Sequence, residues 1–224
     1  MNKITSKVAM ITSVLTLAFC GTAFGATLDS VNKENWPGDE LTQSYNNDAD
    51  FQALPQEVIG LYNDLGGKIV YKPFIEAKGP GIVMGTYTVD SKEIAVREGT
   101  TPYDLVHEFA HFIYFNTDIS PYTETIKGYY NRLLPGIVDD NFNVEEAFAK
   151  CYVAYVCDGS YFLNDAERQM CCDLEEQVKD KYYANHPDEV ANRAPKQLRK
   201  RALGESPAEY YARIAAEEAA AAQK

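Results

Sequence analysis

The chain has 224 residues, a formal net charge of −12 and 46% hydrophobic residues, among them 16 Tyr and 10 Phe. That is enough apolar and aromatic material for one packed domain, or one domain with a helical extension, and it excludes a wholly disordered chain. Acidity of this size repels nucleic-acid phosphates and anionic lipid surfaces, which argues against both as partners; it serves solubility, or draws a cationic substrate.

Residues 1–25 read as a secretion signal. Lys3 and Lys7 precede a 12-residue apolar run at 8–19, too short to cross a bilayer core of about 30 Å as a helix. Ala23 and Gly25 then offer small residues for cleavage before Ala26. Bulky Phe19 ahead of Cys20 argues against a lipoprotein signal. The expected location is secreted or periplasmic, and loss of Lys3 and Lys7 takes the charge from −12 to −14. No later segment is apolar and long enough to span a membrane. Residues 26–50 are polar and rich in Asn and Asp, and read as an exposed, flexible leader. The main domain is expected over 51–185, and a helical C-terminal extension over 186–224.

Within the domain, residues 54–65 predict a helix. Pro55 suits the first turn, Val58, Leu61, Tyr62 and Leu65 give an apolar face, and Gly66-Gly67 stops it. Residues 68–72 form a short β-branched run. Residues 82–89 and 93–97 read as a hairpin across Asp90-Ser91-Lys92, after a loop at 78–81. From residue 101 onward the pattern is helical. Thr101 can cap a helix that has Pro102 at its first position and runs to Asn116. Further helices are expected at 122–134, 143–157, 161–185 and 194–203, with a last one starting at Ser206-Pro207. The fold class is α+β: a small sheet followed by a mostly helical C-terminal half.

The sequence His107-Glu108-Phe109-Ala110-His111 falls inside the 101–116 helix. Residues at i and i+4 share a helix face, so the two imidazoles can hold one Zn²⁺ ion. Glu108, at the edge of that face, can take a proton from a metal-bound water. The chain has three histidines, and two of them lie in this motif. A catalytic zinc needs a third protein ligand. The extended motif with a third histidine is excluded, because Tyr114 and Thr117 stand where Gly and His are required. Glu146, 35 residues after His111 at the start of an apolar helix, is the favoured ligand. It could instead serve a capping box with Asn143. Glu209, Glu145 and His186 are the other candidates.

Without Cys20, four cysteines remain: Cys151, Cys157, Cys171 and Cys172. If the helices on either side of Gly159 form an antiparallel hairpin, Cys151 falls opposite Cys171 or Cys172, and a disulfide staple is expected. The spacing does not suit a thiolate zinc site.

Gly85-Thr86-Tyr87 leading to Ile94-Ala95-Val96, then HEFAH at 107–111, then Glu146-Ala147-Phe148-Ala149 resemble the gluzincin peptidases related to the catalytic domain of anthrax lethal factor and to the secreted Pro-Pro endopeptidases. The resemblance covers about residues 54–185. It implies a zincin-like fold with an edge strand above the active-site helix, Glu146 as third ligand, and a protein or peptide substrate paired with that strand in extended form. The 82–89 or 93–97 strand would serve. The family has an oxyanion-stabilising tyrosine seven residues before the third ligand, where this chain has Asp139. Tyr129 or Tyr130 could substitute, or simply pack. The expected activity is that of a secreted zinc metalloendopeptidase. The rivals are a zinc-binding module without turnover, and a disulfide-stapled helical protein without metal.

Overall fold

The computed structural model describes residues 26–76, 83–133, 143–157 and 163–193. The secretion signal, the 78–81 loop, Asp139, Gly159, Glu209 and the helices expected at 194–203 and beyond Ser206 lie outside them. The described chain is a mixed α+β fold, mostly helical, with a small four-stranded sheet.

Strand β1 (Asn32–Glu34) is followed by helices α1 (Asp39–Asn46), α2 (Ala49–Gln52) and α3 (Gln56–Asp64), and then by β2 (Lys68–Tyr71). β1 and β2 pair in parallel, with Lys33 opposite Ile69. Parallel pairing needs a crossover, and the three helices supply it. The expectation of a flexible leader over 26–50 is therefore corrected: this segment contributes an edge strand and a helix to the fold. Several of its apolar residues are covered: Ala26, Leu28, Val31 and Tyr45 are at most 4% exposed, as is Phe51 just beyond it. The Tyr45 hydroxyl donates to the Thr100 carbonyl at 2.8 Å, and Trp36 Nε1 donates to Thr42 Oγ1 at 2.9 Å. Polar composition hid a segment whose sparse anchors suffice.

The hairpin forms as expected, over a shorter span. β3 (Gly85–Thr88) pairs antiparallel with β4 (Glu93–Val96), with Gly85 opposite Val96 and Tyr87 opposite Ile94. β4 in turn pairs in parallel with β2, giving the order β1-β2-β4-β3. Among the described residues β3 is thus an edge strand. The turn closes on Lys92 at φ 50°.

The C-terminal helices follow the expected sequence: α4 (Pro102–Asn116), α5 (Thr123–Leu133), α6 (Val144–Val156) and α7 (Asp165–Asn185). α4 is central and packs on α2, α3, α6, α7, β3 and β4. Its Phe109 and Phe112 rings meet Tyr62 edge-on, with centroids 5.2 and 5.3 Å apart. α5 is clamped to α7 by Arg132, whose guanidinium makes two bonds of 2.7 and 2.6 Å to the buried Glu167 carboxylate. Glu167 also closes the Asn164 capping box that starts α7.

The expected disulfide is corrected as well. All four cysteines are buried, and Cys151 and Cys171 are thiols with no disulfide bond between them. Cys151 and Cys171 do face each other between α6 and α7, as side-chain hydrogen-bond partners. Burial lifts the Cys171 thiol well above its ordinary value. The thiolate is the species that attacks a disulfide, so a thiol held neutral in an apolar core resists that step.

Candidate active site

The site begins with a helix whose register is fixed at its first turn. The Thr101 side chain accepts from the Asp104 backbone N–H, and Asp104 returns the bond to the Thr101 N–H at 2.8 Å, with Pro102 at the first helical position. From that start, Leu105, Val106, Phe109, Ala110, Phe112 and Ile113 all fall on the buried side of α4. His107, Glu108 and His111 then lie where the core face of α4 meets β3 and α6. His111 and Glu108 are 6% and 5% exposed.

Glu146 arrives from the first turn of α6. Asn143 caps that helix by accepting from the Glu145 N–H at 3.0 Å. No reciprocal bond from Glu146 closes a capping box there; its carboxylate turns toward α4 instead. The Glu146 oxygens stand 3.4 Å from His107 Nε2 and 3.4 Å from His111 Nε2, and the two Nε2 atoms are 3.2 Å apart. These three side chains are also the group among the described residues with the composition and spacing to hold a metal ion.

The size of this triangle is informative. Ligand bonds of about 2.0–2.2 Å in tetrahedral geometry put neighbouring ligand atoms about 3.3–3.5 Å apart, which is the face of a zinc coordination shell. The donor chemistry fits too: two imidazoles and one carboxylate are the ligand set of a catalytic zinc that keeps its fourth position open. The partly exposed Glu146 (46% for its side chain) leaves that position reachable from solvent. His111 Nδ1 is buried and has no hydrogen-bond partner among the described residues, so this ring is held by packing rather than by an outer carboxylate or carbonyl.

The charges polarise one another. Glu146 is driven well below the ordinary carboxylate range, first by its hydrogen bonds with His107 and His111. Burial would lower His111, but the bond to Glu146 and the charges of Glu108, Glu146 and Glu145 outweigh it and raise the imidazole. Glu108 moves the other way. Burial pushes it up from 4.5 to about 7, against smaller opposing pulls from the two histidines and the Tyr87 backbone N–H.

These shifts make the metal-free protein pH-sensitive. A carboxyl whose folded pKa is raised contributes stability that is complete below its ordinary value and is lost as pH rises through the raised one. For Glu108 the window runs from 4.5 to about 7, and the full loss is up to about 3 kcal/mol at 1.36 kcal/mol per unit. The raised His111 acts in the same direction above its ordinary value. Thermal unfolding in chelator should therefore show a lower Tm at pH 8 than at pH 5. Glu108→Gln, which cannot ionise, should remove most of that slope; a wild-type Tm flat across this range would contradict the buried carboxyl.

The rival ligands fall elsewhere. His186 closes α7, stacks on Tyr182 at 4.3 Å and meets Asp64 at 3.0 Å. Burial raises Tyr114 and the Glu145 charge adds to this, but Glu145 is not in the metal-sized group. Tyr129 is 4% exposed and donates to the Lys150 carbonyl at 3.3 Å, so it packs α5 on α6. Tyr130 is a partly buried packing residue on the same helix. Sequence reasoning missed Gly85, whose Cα faces Glu108; a glycine inside a strand pattern was the available signal.

No family model and no curated protein matches the sequence. The structure is similar to a solved Pro-Pro endopeptidase, PPEP-2 from Paenibacillus alvei, at 13% identity over 69% of this chain and 96% of that one, with a TM-score of 0.42. A likeness this slight identifies neither the fold family nor the activity of this chain.

Proposed function

We propose that this chain is a zinc-dependent endopeptidase of the gluzincin type, with a zincin-like fold. His107, His111 and Glu146 would hold the ion, and Glu108 would act as general base. The observation that carries the reading is the 3.2, 3.4 and 3.4 Å triangle of ligand atoms on α4 and α6, with a buried carboxyl next to it. A bound zinc would acidify a water toward neutral pH and polarise a scissile carbonyl.

The chain's own residues supply the remainder. Glu108, pushed up to about 7 by burial in the metal-free protein, could accept a proton from the water and return it to a leaving amine. Proximity to a divalent cation would draw that value down and keep the base ionised. The edge of β3, unpaired among the described residues, would offer backbone donors and acceptors to an extended peptide lying antiparallel to it. The Tyr87 side chain points from that strand into Phe112 and Phe115 of α4, at 6.1 and 6.2 Å, and ties strand to helix. Location outside the cytoplasm belongs to the same proposal, and rests on the charge and hydropathy pattern of residues 1–25. Among the described residues no helix is long and apolar enough to cross a membrane.

The test is a peptide-library digest by the purified protein, with elemental analysis of its metal. Cleavage that a zinc chelator abolishes and added zinc restores is expected. One equivalent of zinc with no cleavage would favour a binding module that has lost turnover, a reading favoured by Asp139 in place of the family's tyrosine. No zinc after reconstitution would end both.

A further inference from the structure

We infer that Gly85 is a positioning residue for Glu108: the absence of a side chain at this point of β3 is what lets the carboxyl sit beneath the strand. The inference rests on the proposed role of Glu108. A Cβ built on Gly85 would lie 2.8 Å from Glu108 Cγ, 2.8 Å from Oε1 and 3.1 Å from Cδ, the first two below the 3.0 Å that real Cβ atoms keep.

Backbone conformation does not explain the glycine. Among the described residues the glycines with φ in the left-handed region are Gly38, Gly66 and Gly99, and Gly85 is not one of them. Its place is in an ordinary antiparallel ladder opposite Val96. A glycine weakens such a strand and fills no space, so a space requirement is the physical reason left for it.

Neither side of the contact can move away freely. β3 is held by its ladder to β4, whose Val96 is fully buried, and by the Tyr87 ring against Phe112. Glu108 is 5% exposed, with His107, His111 and Glu146 acting on it electrostatically. A side chain at position 85 would therefore push the carboxyl sideways, toward the imidazoles or out of the cleft. The nearest atoms to such a Cβ all belong to Glu108, none to His107, His111 or Glu146. The strand would thus have two tasks: its outer edge, unpaired among the described residues, would take an extended peptide, and its inner face sets where the base stands. The Tyr87 backbone N–H, two residues on, adds a weak pull on the same carboxylate.

The test is Gly85→Ala, and Gly85→Ser beside it, in the full chain. Gly85→Ala should bind one zinc with an affinity within a few-fold of wild type. Its kcat should fall about 10²-fold, the scale of an ångström-sized misplacement, with KM within about twofold. Gly85→Ser should lose at least as much. Shortening the acid should make room, so adding Gly85→Ala to Glu108→Asp should cost far less than it costs in the wild type. A crystal structure of metal-free Gly85→Ala should show the Glu108 carboxyl displaced. Wild-type kcat in Gly85→Ala, or an unmoved carboxyl in that crystal, would overturn the inference. The crystal readout needs neither zinc nor turnover, so it separates this failure from a wild type that binds no zinc or cleaves no peptide, which would defeat the proposed function instead.

Discussion

Glu108→Gln should retain one zinc per chain and lose about 10²–10⁴-fold in kcat, the span that a positioned general base contributes, or about 3–5 kcal/mol at 1.36 kcal/mol per decade. The substitution keeps the size of the side chain, so its fit beneath Gly85 is undisturbed. It also leaves the three ligand atoms alone. What it removes is the ability to accept a proton, at a position where burial has already tuned the carboxyl to about 7. KM should change little, because the edge of β3 would carry the peptide backbone. Zinc content measured alongside steady-state kinetics separates the outcomes. Equal cleavage by the variant would show that some other group is the base; loss of zinc would show that Glu108 belongs to the coordination shell.

The motif on α4 was legible because its chemistry is local. Residues four apart share a helix face whatever surrounds the helix, and Thr101 and Pro102 mark the start without reference to anything distant. Glu146 was harder. Read along the chain, Asn143 and Glu146 have the spacing of a capping box, and three-dimensional structure alone distinguishes a carboxylate turned back on its own helix from one turned toward another. The leader over 26–50 was misread for a related reason. Its apolar residues are sparse among polar ones, yet Tyr45, and Phe51 just beyond it, find buried places because α4 and the sheet are there to receive them. Parallel pairing of β1 with β2 has no signature in either strand. Gly85 stands at the same limit: the sequence shows a glycine in a strand, and only the fold shows which carboxyl occupies the missing volume. The cysteines carry the opposite lesson. Helix pairing was enough to bring Cys151 and Cys171 together, but their redox state depends on burial, which spacing does not report.

Glu146→Ala should lower zinc affinity by at least about 10²-fold, since changing an outer-shell partner typically costs 10–100-fold and this residue is a direct ligand in the proposed shell. The two histidines would remain on one face of α4, so a weak two-ligand site should persist at high zinc. The consequence for stability follows by mass action. At a free zinc concentration 100 times the wild-type dissociation constant, the metal stabilises the folded chain by about 2.7 kcal/mol, and the variant should lose most of this increment. The metal-free proteins should differ differently. Without zinc, Glu146 pairs with both imidazoles at 3.4 Å and helps hold His111 in its charged form. Removing it should lower the stability of the chelated protein more at pH 5 than at pH 8, because the raised His111 loses its charge as pH rises. Two thermal-unfolding series, with zinc and with chelator, therefore report on the two roles of one carboxylate. A Glu146→Ala protein whose Tm still rises with zinc as much as the wild type would place the third ligand elsewhere, and with it the carboxylate that joins α6 to the site.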